Sequence, residues 1–396
     1  MNYTAIFVFI LLAVLVEWGA FVAFRGWASG HTVWLWIYGG ITLVSYLCLL
    51  SFPFISKHAR YPMLNAFFIL FFGKLLAAVF MVLGLVGNEL LGLAVKPEDS
   101  VSESRRLFVK KASALLGLIP VGLMGWGIFR TAGNFKIHRV KLSLKDFPDA
   151  FRGLKIVQIS DIHTGSFFSL DRMEEAVEEI AAQKPDIVIF SGDLVNNRTD
   201  ECYDYMEVLG KINAPMGVYS TLGNHDYGDY EGWATKEEKT ANFRDMLDVH
   251  KKLGWQLLMN ENRIFERDGQ KIALLGVENW GANLRFPKYG KMKEAYAGTE
   301  DIPTKILISH DPSHWEAEVL KDYPGVQLMM AGHTHGFQFG IEIPGIKWSP
   351  SQWVYKQWAG LYEDSGRYLY VNRGLGCIGY MGRVGIRPEI TVFELG

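Results

Sequence analysis

Apolar positions divide this chain into two regimes. In roughly the first third they form four long runs, at about 4–24, 33–54, 63–94 and 112–129. Each is long enough to supply the roughly 20 residues that carry a helix across a bilayer. The third exceeds one straight span, which predicts a tilted helix or an interfacial turn around Gly87-Asn88-Glu89. Lys74 interrupts it and is expected to face other helices. Core helices of a soluble domain fit poorly, because the runs arrive in succession and the first two bring only Glu17 and Arg25 as charges.

From about Lys136 the period shortens. Leu154–Ser160, Asp186–Phe190, Gly217–Thr221, Lys271–Val277, Lys305–Ser309, Val326–Ala331, Tyr368–Val371 and Ile390–Phe393 read as strands. Leu170 to Gln183 has apolar spacing near 3.6 and many glutamates, the pattern of an amphipathic helix. Strands alternating with helices predict an α/β fold. The division expected is a transmembrane region over 1–130, a linker over 131–150 and a catalytic domain over 151–396.

Charge and cysteine content narrow the classes. A formal net charge of -2 gives no global bias toward nucleic acid. The three cysteines, Cys48, Cys202 and Cys377, have no paired spacing, which argues against a thiolate metal site. Basic residues orient the membrane part. The first and third loops carry Arg25, Lys96, Arg105, Arg106, Lys110 and Lys111, and the second only Lys57 and Arg60. That asymmetry puts the first and third loops in the cytoplasm and the catalytic domain outside. The basic segment Arg130, Lys136, Arg139 and Lys141 pulls the other way. Ser104–Lys110, followed by an apolar run, resembles a twin-arginine export signal and equally fits a basic helix flank.

The chemistry sits where apolar strands end. In order come Asp161-Ile162-His163, Gly192-Asp193, Gly223-Asn224-His225-Asp226, His310, and Gly332-His333-Thr334-His335, holding five of the ten histidines. Loops beyond strand carboxyl ends are the usual ligand sites of α/β folds. Asp-x-His and His-x-His put both side chains on one side of an extended loop, and an Asn amide oxygen adds a neutral ligand. Two divalent ions held this way can neutralise a phosphoester and turn a bridging water into hydroxide.

These blocks, in this order, resemble the calcineurin-like metallophosphoesterases, and within that family the membrane-anchored phosphodiesterase branch related to UDP-2,3-diacylglucosamine hydrolases. The resemblance covers roughly 150–396. It implies a four-layer α-β-β-α sandwich and two divalent ions, with Mn, Fe or Zn suited to the donors. One ion is then held by Asp161, His163, Asp193 and His335, the other by Asp193, Asn224, His310 and His333. His225 serves catalysis, facing the phosphoryl oxygens to stabilise charge or protonate the leaving group. Asp226 either orients His225 or caps the turn locally. Asn196-Asn197 stands where relatives often carry an acid.

Residues outside the blocks receive plainer expectations. His31, His58, His138 and His250 are read as surface or interfacial, and His314 as a neighbour of His310. Arg383 either reaches substrate phosphate or forms a surface salt bridge. Between Gly336 and Tyr362 lie Phe337, Phe339, Trp348, Trp353, Tyr355, Trp358 and Tyr362, with Lys347 and Lys356 among them. They read as core under a long loop or as an apolar lip at the bilayer interface. The expected activity is hydrolysis of a phosphodiester or pyrophosphate, lipid-linked substrates included, by an integral, multi-pass inner- or plasma-membrane protein whose partners are the bilayer and a phosphoester, without nucleic acid. Alternatives are a phosphomonoesterase on phosphoprotein or nucleotide, a non-catalytic scaffold, and a transporter. The intact ligand blocks disfavour the scaffold, and sparse intramembrane charge disfavours the transporter.

Overall fold

Four helices open the chain: α1 (Tyr3–Trp27), α2 (Thr32–Ser51), α3 (Lys57–Ala94) and α4 (Asp99–Trp126). A computed structural model describes residues 3–28, 31–51, 57–94, 99–167, 169–283 and 286–396. Lys96 and the 52–54 end of the second apolar run lie outside them. Each helix is long and apolar enough to span a membrane. The helix α3 continues through Gly87-Asn88-Glu89 without a turn, so the over-long third run is one helix. Ser104–Lys110 is helical too, because α4 begins upstream of the apolar run.

Small residues let these helices approach. A Cβ on Gly73 would lie 2.7 Å from the Gly117 carbonyl oxygen, and one on Gly117 would lie 2.8 Å from that of Gly73, so the α3–α4 backbones meet directly. Lys74 does face the other helices. Its ammonium lies 2.8 Å from Glu17 Oε1 and donates to Thr42 Oγ1 at 2.8 Å. The Tyr38 hydroxyl donates to the other Glu17 oxygen at 3.1 Å.

Residues 129–396 form a second compact unit. Its strands are β1 (Lys136–Leu142), β2 (Leu154–Ile159), β3 (Ile187–Phe190), β4 (Val218–Ser220), β5 (Gln256–Leu257), β6 (Glu261–Arg267), β7 (Gln270–Gly276), β8 (Thr304–Ile308), β9 (Val326–Ala331), β10 (Ile341–Ile343), β11 (Ile346–Trp348), β12 (Gly360–Asp364), β13 (Arg367–Val371) and β14 (Glu389–Leu395). One sheet runs β1-β14-β2-β3-β4-β5, the other β12-β13-β9-β8-β7-β6, and β10–β11 is a separate hairpin. The strand β1 lies inside the stretch expected to be a linker. It pairs in parallel with β14, which is antiparallel to β2.

Alternation along the strands builds the layers. Ile156, Ile187 and Ile189 of the first sheet and Leu274, Ile306, Ile308 and Met330 of the second share one core cluster. Val157, Val188 and Phe190 point the other way, onto Met173, Ala176 and Val177 of helix α5 (Leu170–Ala182). Leu275, Leu307 and Met329 meet Met292, Trp315 and Val319 on the far side. The result is the α-β-β-α sandwich expected from the sequence, with the helical transmembrane region ahead of it. The parallel strands β2, β3 and β4 aim their carboxyl ends at one edge, as do β8 and β9 in the other sheet.

Candidate metal centre

Each block of polar residues leaves its strand by an abrupt bend. Asp161, His163, Asp193, His333 and His335 all have positive φ, between 49° and 74°. Non-glycine residues seldom adopt this left-handed conformation, and clusters of it mark sites where the surroundings impose geometry. Glycines make room for the carboxylates: a Cβ on Gly223 would overlap the Asp193 side chain, and one on Gly332 would overlap Asp161 and Ser160.

The bends gather the side chains into two groups, Asp161–His163–His335 and Asp193–His310–His333, each with donor atoms close enough to share one ion. Asp193 lies between them: its Oδ2 is 3.1 Å from His310 Nε2 and 3.6 Å from His163 Nε2. Within the first group His335 Nε2 lies 3.2 Å from Asp161 Oδ1 and 3.0 Å from His163 Nε2. In the second, His333 Nδ1 lies 3.3 Å from His310 Nε2. All but His333 are buried.

Backbone carbonyls orient the rings. Val195 O lies 3.1 Å from His163 Nδ1, and Ser191 O lies 2.7 Å from His310 Nδ1. With a proton on each Nδ1, the Nε2 lone pairs face the centre, the arrangement metal-ligating histidines use. Burial alone would raise the Asp161 carboxyl, but His335 beside it holds it well below the usual range. Asp193 is likewise held low, with His310 and His225 outweighing burial. Burial pushes His163 down to about 3. It would push His310 down too, but the Asp193 carboxylate carries that ring up to about 10. The point between Asp193 and His310 therefore favours positive charge.

The donor set fits divalent cations. Two buried carboxylates and converging imidazole nitrogens are hard-to-borderline ligands with no thiolate. The Asn224 side chain donates through Nδ2 to the Tyr230 hydroxyl at 2.9 Å, and its buried Oδ1 has no hydrogen-bond partner. A buried amide oxygen without a partner is costly unless something else meets it.

His225 stands over the groups, its ring centroid 5.0 Å from that of His163. Its backbone N–H donates to Asp193 Oδ1 at 2.9 Å, and its Nδ1 lies 2.6 Å from the Asn196 carbonyl oxygen. Asp226 neither orients this ring nor caps only its own turn. Its carboxylate accepts from the N–H groups of Asp193, Leu194 and Gly223 at 2.8–2.9 Å and fastens the Asp193 loop from below.

Several expectations need revision. His250 is fully buried between Phe190 and Trp255, with Nδ1 2.9 Å from Ser220 Oγ. Arg383 is neither on the surface nor free for substrate. It is buried, donating to the carbonyls of Arg373, Gly374 and Gly376 around the loop behind His335. His314 needs no revision: it belongs to neither group and bridges Ser309 and Glu318 while stacked on Trp280. The sequence reading missed Tyr230 and Glu201 beside the centre and took Tyr355 only as one of the aromatic run. Tyr230 holds Asn224, Tyr355 places its hydroxyl 2.7 Å from His333 Nε2, and Glu201 accepts the N–H groups of Asn196, Asn197 and Arg198. Glu201 thus brings a carboxylate to the Asn196-Asn197 loop from five residues downstream.

Residues 154–337 match the family described as "Calcineurin-like phosphoesterase", and residues 2–132 the one described as "Probable Calcineurin-like phosphoesterase, transmembrane domain". The "Uncharacterized metallophosphoesterase YkuE" of Bacillus subtilis is 33% identical over 74% of this chain and 97% of its own. "Phosphodiesterase YaeI" of Escherichia coli is 27% identical over 74% of this chain and 99% of its own. "UDP-2,3-diacylglucosamine pyrophosphatase LpxG" of Chlamydia muridarum is 26% identical over 68% of this chain and 93% of its own.

Proposed function

The chain belongs to the calcineurin-like phosphoesterase family, and from that premise we propose that this membrane-anchored hydrolase cleaves phosphodiester or pyrophosphate bonds in lipid-linked substrates with two divalent ions. One observation carries the reading: two Asp/His groups converge with Asp193 between them. The proposed ligands are Asp161, His163, Asp193 and His335 for one ion, and Asp193, Asn224, His310 and His333 for the other, with Mn, Fe or Zn suited to both.

The ions, when bound, supply positive charge for the phosphoryl oxygens and lower the pKa of the attacking water. The chain's own residues do the rest. Asp193 holds the two halves of the site at fixed separation. The Asn196 carbonyl accepts from His225 Nδ1–H and fixes the ring, so that in its doubly protonated form the ring can pass the Nε2 proton to the leaving oxygen and return to the neutral Nδ1–H tautomer. Tyr230, with its ring 4.6 Å from His225, walls that position on the side of Asn224.

Two relatives support the bond type, one named as a phosphodiesterase and one as a pyrophosphatase of a diacylated sugar nucleotide. The basic loop residues favour a catalytic domain outside the cytoplasm, and hence a lipid ester of the outer face. The test is hydrolysis of bis-p-nitrophenyl phosphate and p-nitrophenyl phosphate by detergent-solubilised protein, with added Mn, with chelator, and with Asp193→Ala. Metal-dependent diester cleavage lost in Asp193→Ala supports the reading. Preference for the monoester favours a phosphomonoesterase, and no turnover of either ester or of lipid phosphodiesters by protein holding two metals favours a scaffold.

A further inference from the structure

The segment after the His333–His335 block folds with its polarity reversed. In the β10–β11 hairpin Ile341 pairs with Trp348, Glu342 with Lys347, and Ile343 with Ile346. Directly opposed residues share a face, so four apolar side chains lie on one side and a charged pair on the other. A water-facing hairpin turns its apolar face inward. Here the charged side lies against the domain: half-buried Glu342 pairs with the buried Arg373 guanidinium, and Lys347, itself exposed, sets its ammonium 4.8 Å from the centre of the Trp358 ring. The apolar face turns out, leaving Ile341 48%, Ile343 55% and Ile346 52% exposed. Trp348 lies at its margin against Trp353, which is 73% exposed, with Val354 beside it in sequence.

This ribbon is fastened to the metal centre. Ser349 Oγ donates to the Gly336 carbonyl at 2.7 Å, Thr334 Oγ1 to the Trp358 carbonyl at 2.6 Å, and Tyr355 reaches His333. Burial of Trp358 shows that part of the aromatic segment is core, as one expectation had it, while the hairpin and Trp353 are not.

We propose that the outward face of the β10–β11 hairpin, with Trp353 and Val354, inserts into the headgroup–acyl boundary of the bilayer that the four helices occupy and opens the metal centre toward that boundary. Three features select a bilayer as the occupant. The chain is tethered to one, so the apolar face never has to find it by diffusion. The face is aliphatic with tryptophan at its edge, the composition that settles at a membrane interface. Its carboxylate, Glu342, is paired with the buried Arg373, and Lys347, on the opposite side from the aliphatic face, holds its ammonium against the Ala359 carbonyl and the Trp358 ring, so the inserting face itself carries no charge. The inference rests on membrane anchoring and stands apart from the identity of the ester.

The test uses the full chain in liposomes, with Cys48→Ala to leave only the buried cysteines, and an environment-sensitive fluorophore at Ile343→Cys or, as a control, at Glu266→Cys on β6. Insertion predicts blue-shifted emission at 343, quenching by lipids carrying an acyl-chain nitroxide and protection from iodide, while the label at 266 stays open to iodide. Equal iodide access at both positions overturns the proposal. Protection at 343 without nitroxide quenching also overturns it, in favour of a protein partner or a second copy. In a parallel assay Ile343→Ser with Ile346→Ser should keep bis-p-nitrophenyl phosphate turnover in detergent yet lose about tenfold on a lipid phosphodiester in vesicles. If the wild type cleaves no ester, the hydrolytic reading fails while the depth measurement still decides this one.

Discussion

Each unit of this molecule carries a polar cluster among its packed elements, and the two are built on opposite principles. In the helical unit Lys74, Glu17, Thr42 and Tyr38 close on themselves, one ammonium against one carboxylate with hydroxyls completing the set. In the catalytic unit two carboxylates face imidazoles whose Nε2 atoms converge, His163 and His335 within 3.0 Å of each other, and an amide oxygen is left over. The first cluster is complete without a guest. The second gathers more metal-ligating oxygen and nitrogen atoms than its own hydrogen bonds use, which suits the cations proposed for it. Burying charge is costly in both places, so the contrast separates a device for fitting helices together from a device for binding.

The sharpest break is at Asp193. Asp193→Ala should remove metal-dependent diester hydrolysis to background and lower bound metal from two per chain, read by elemental analysis beside the rate. His225→Ala should cost roughly 10²–10⁴-fold in kcat, the range for a lost proton donor, with both metals retained. The closed cluster should respond in stability and leave the rate alone. Lys74→Met or Glu17→Gln singly should destabilise the helical unit by about 3 kcal/mol, and the pair together by much less, because one substitution strands a buried charge and two do not. Unfolding in detergent measures it, and unchanged ester turnover completes the contrast. Tyr230→Phe should lower kcat a few-fold by freeing the Asn224 amide, with a weakened metal titration as the distinguishing sign. Smallest is Glu201. Burial raises its carboxyl to about 7, so the folded state holds that proton more tightly than the unfolded chain. Its stabilising contribution is complete below the ordinary glutamate range and is lost as pH rises through about 7. Glu201→Gln should flatten the melting temperature of metal-free protein across that window.

The ligand blocks were legible because each follows a short, largely buried strand, where an apolar run such as Ile187–Phe190 has no competing reading. The four spans were legible for a similar reason, since length and apolarity have one common cause. The strands β1 and β6 were not, because half-exposed edge strands such as Lys136–Leu142 and Glu261–Arg267 carry charges that break the apolar run. His250 was misjudged although a signal existed: Met246, Val249 and His250 stand at the spacing of one helical face, and all are buried in the helix Lys236–Lys252. The roles of Asp226, Glu201 and Arg383 could not be read. They act by accepting or donating backbone hydrogen bonds, and no local pattern records which loop passes overhead.

The order β1-β14-β2 has a consequence for how the domain is made. The strands β1 and β2 emerge early in synthesis, soon after the helices, yet they do not touch as neighbours; the strand between them follows about 230 residues after β2 ends, at 389–395. Until then the first sheet has a gap, and the edges of β1 and β2 offer unpaired backbone groups to any passing strand. A ribosome feeding this chain therefore delivers a membrane anchor long before it delivers the piece that closes the enzyme.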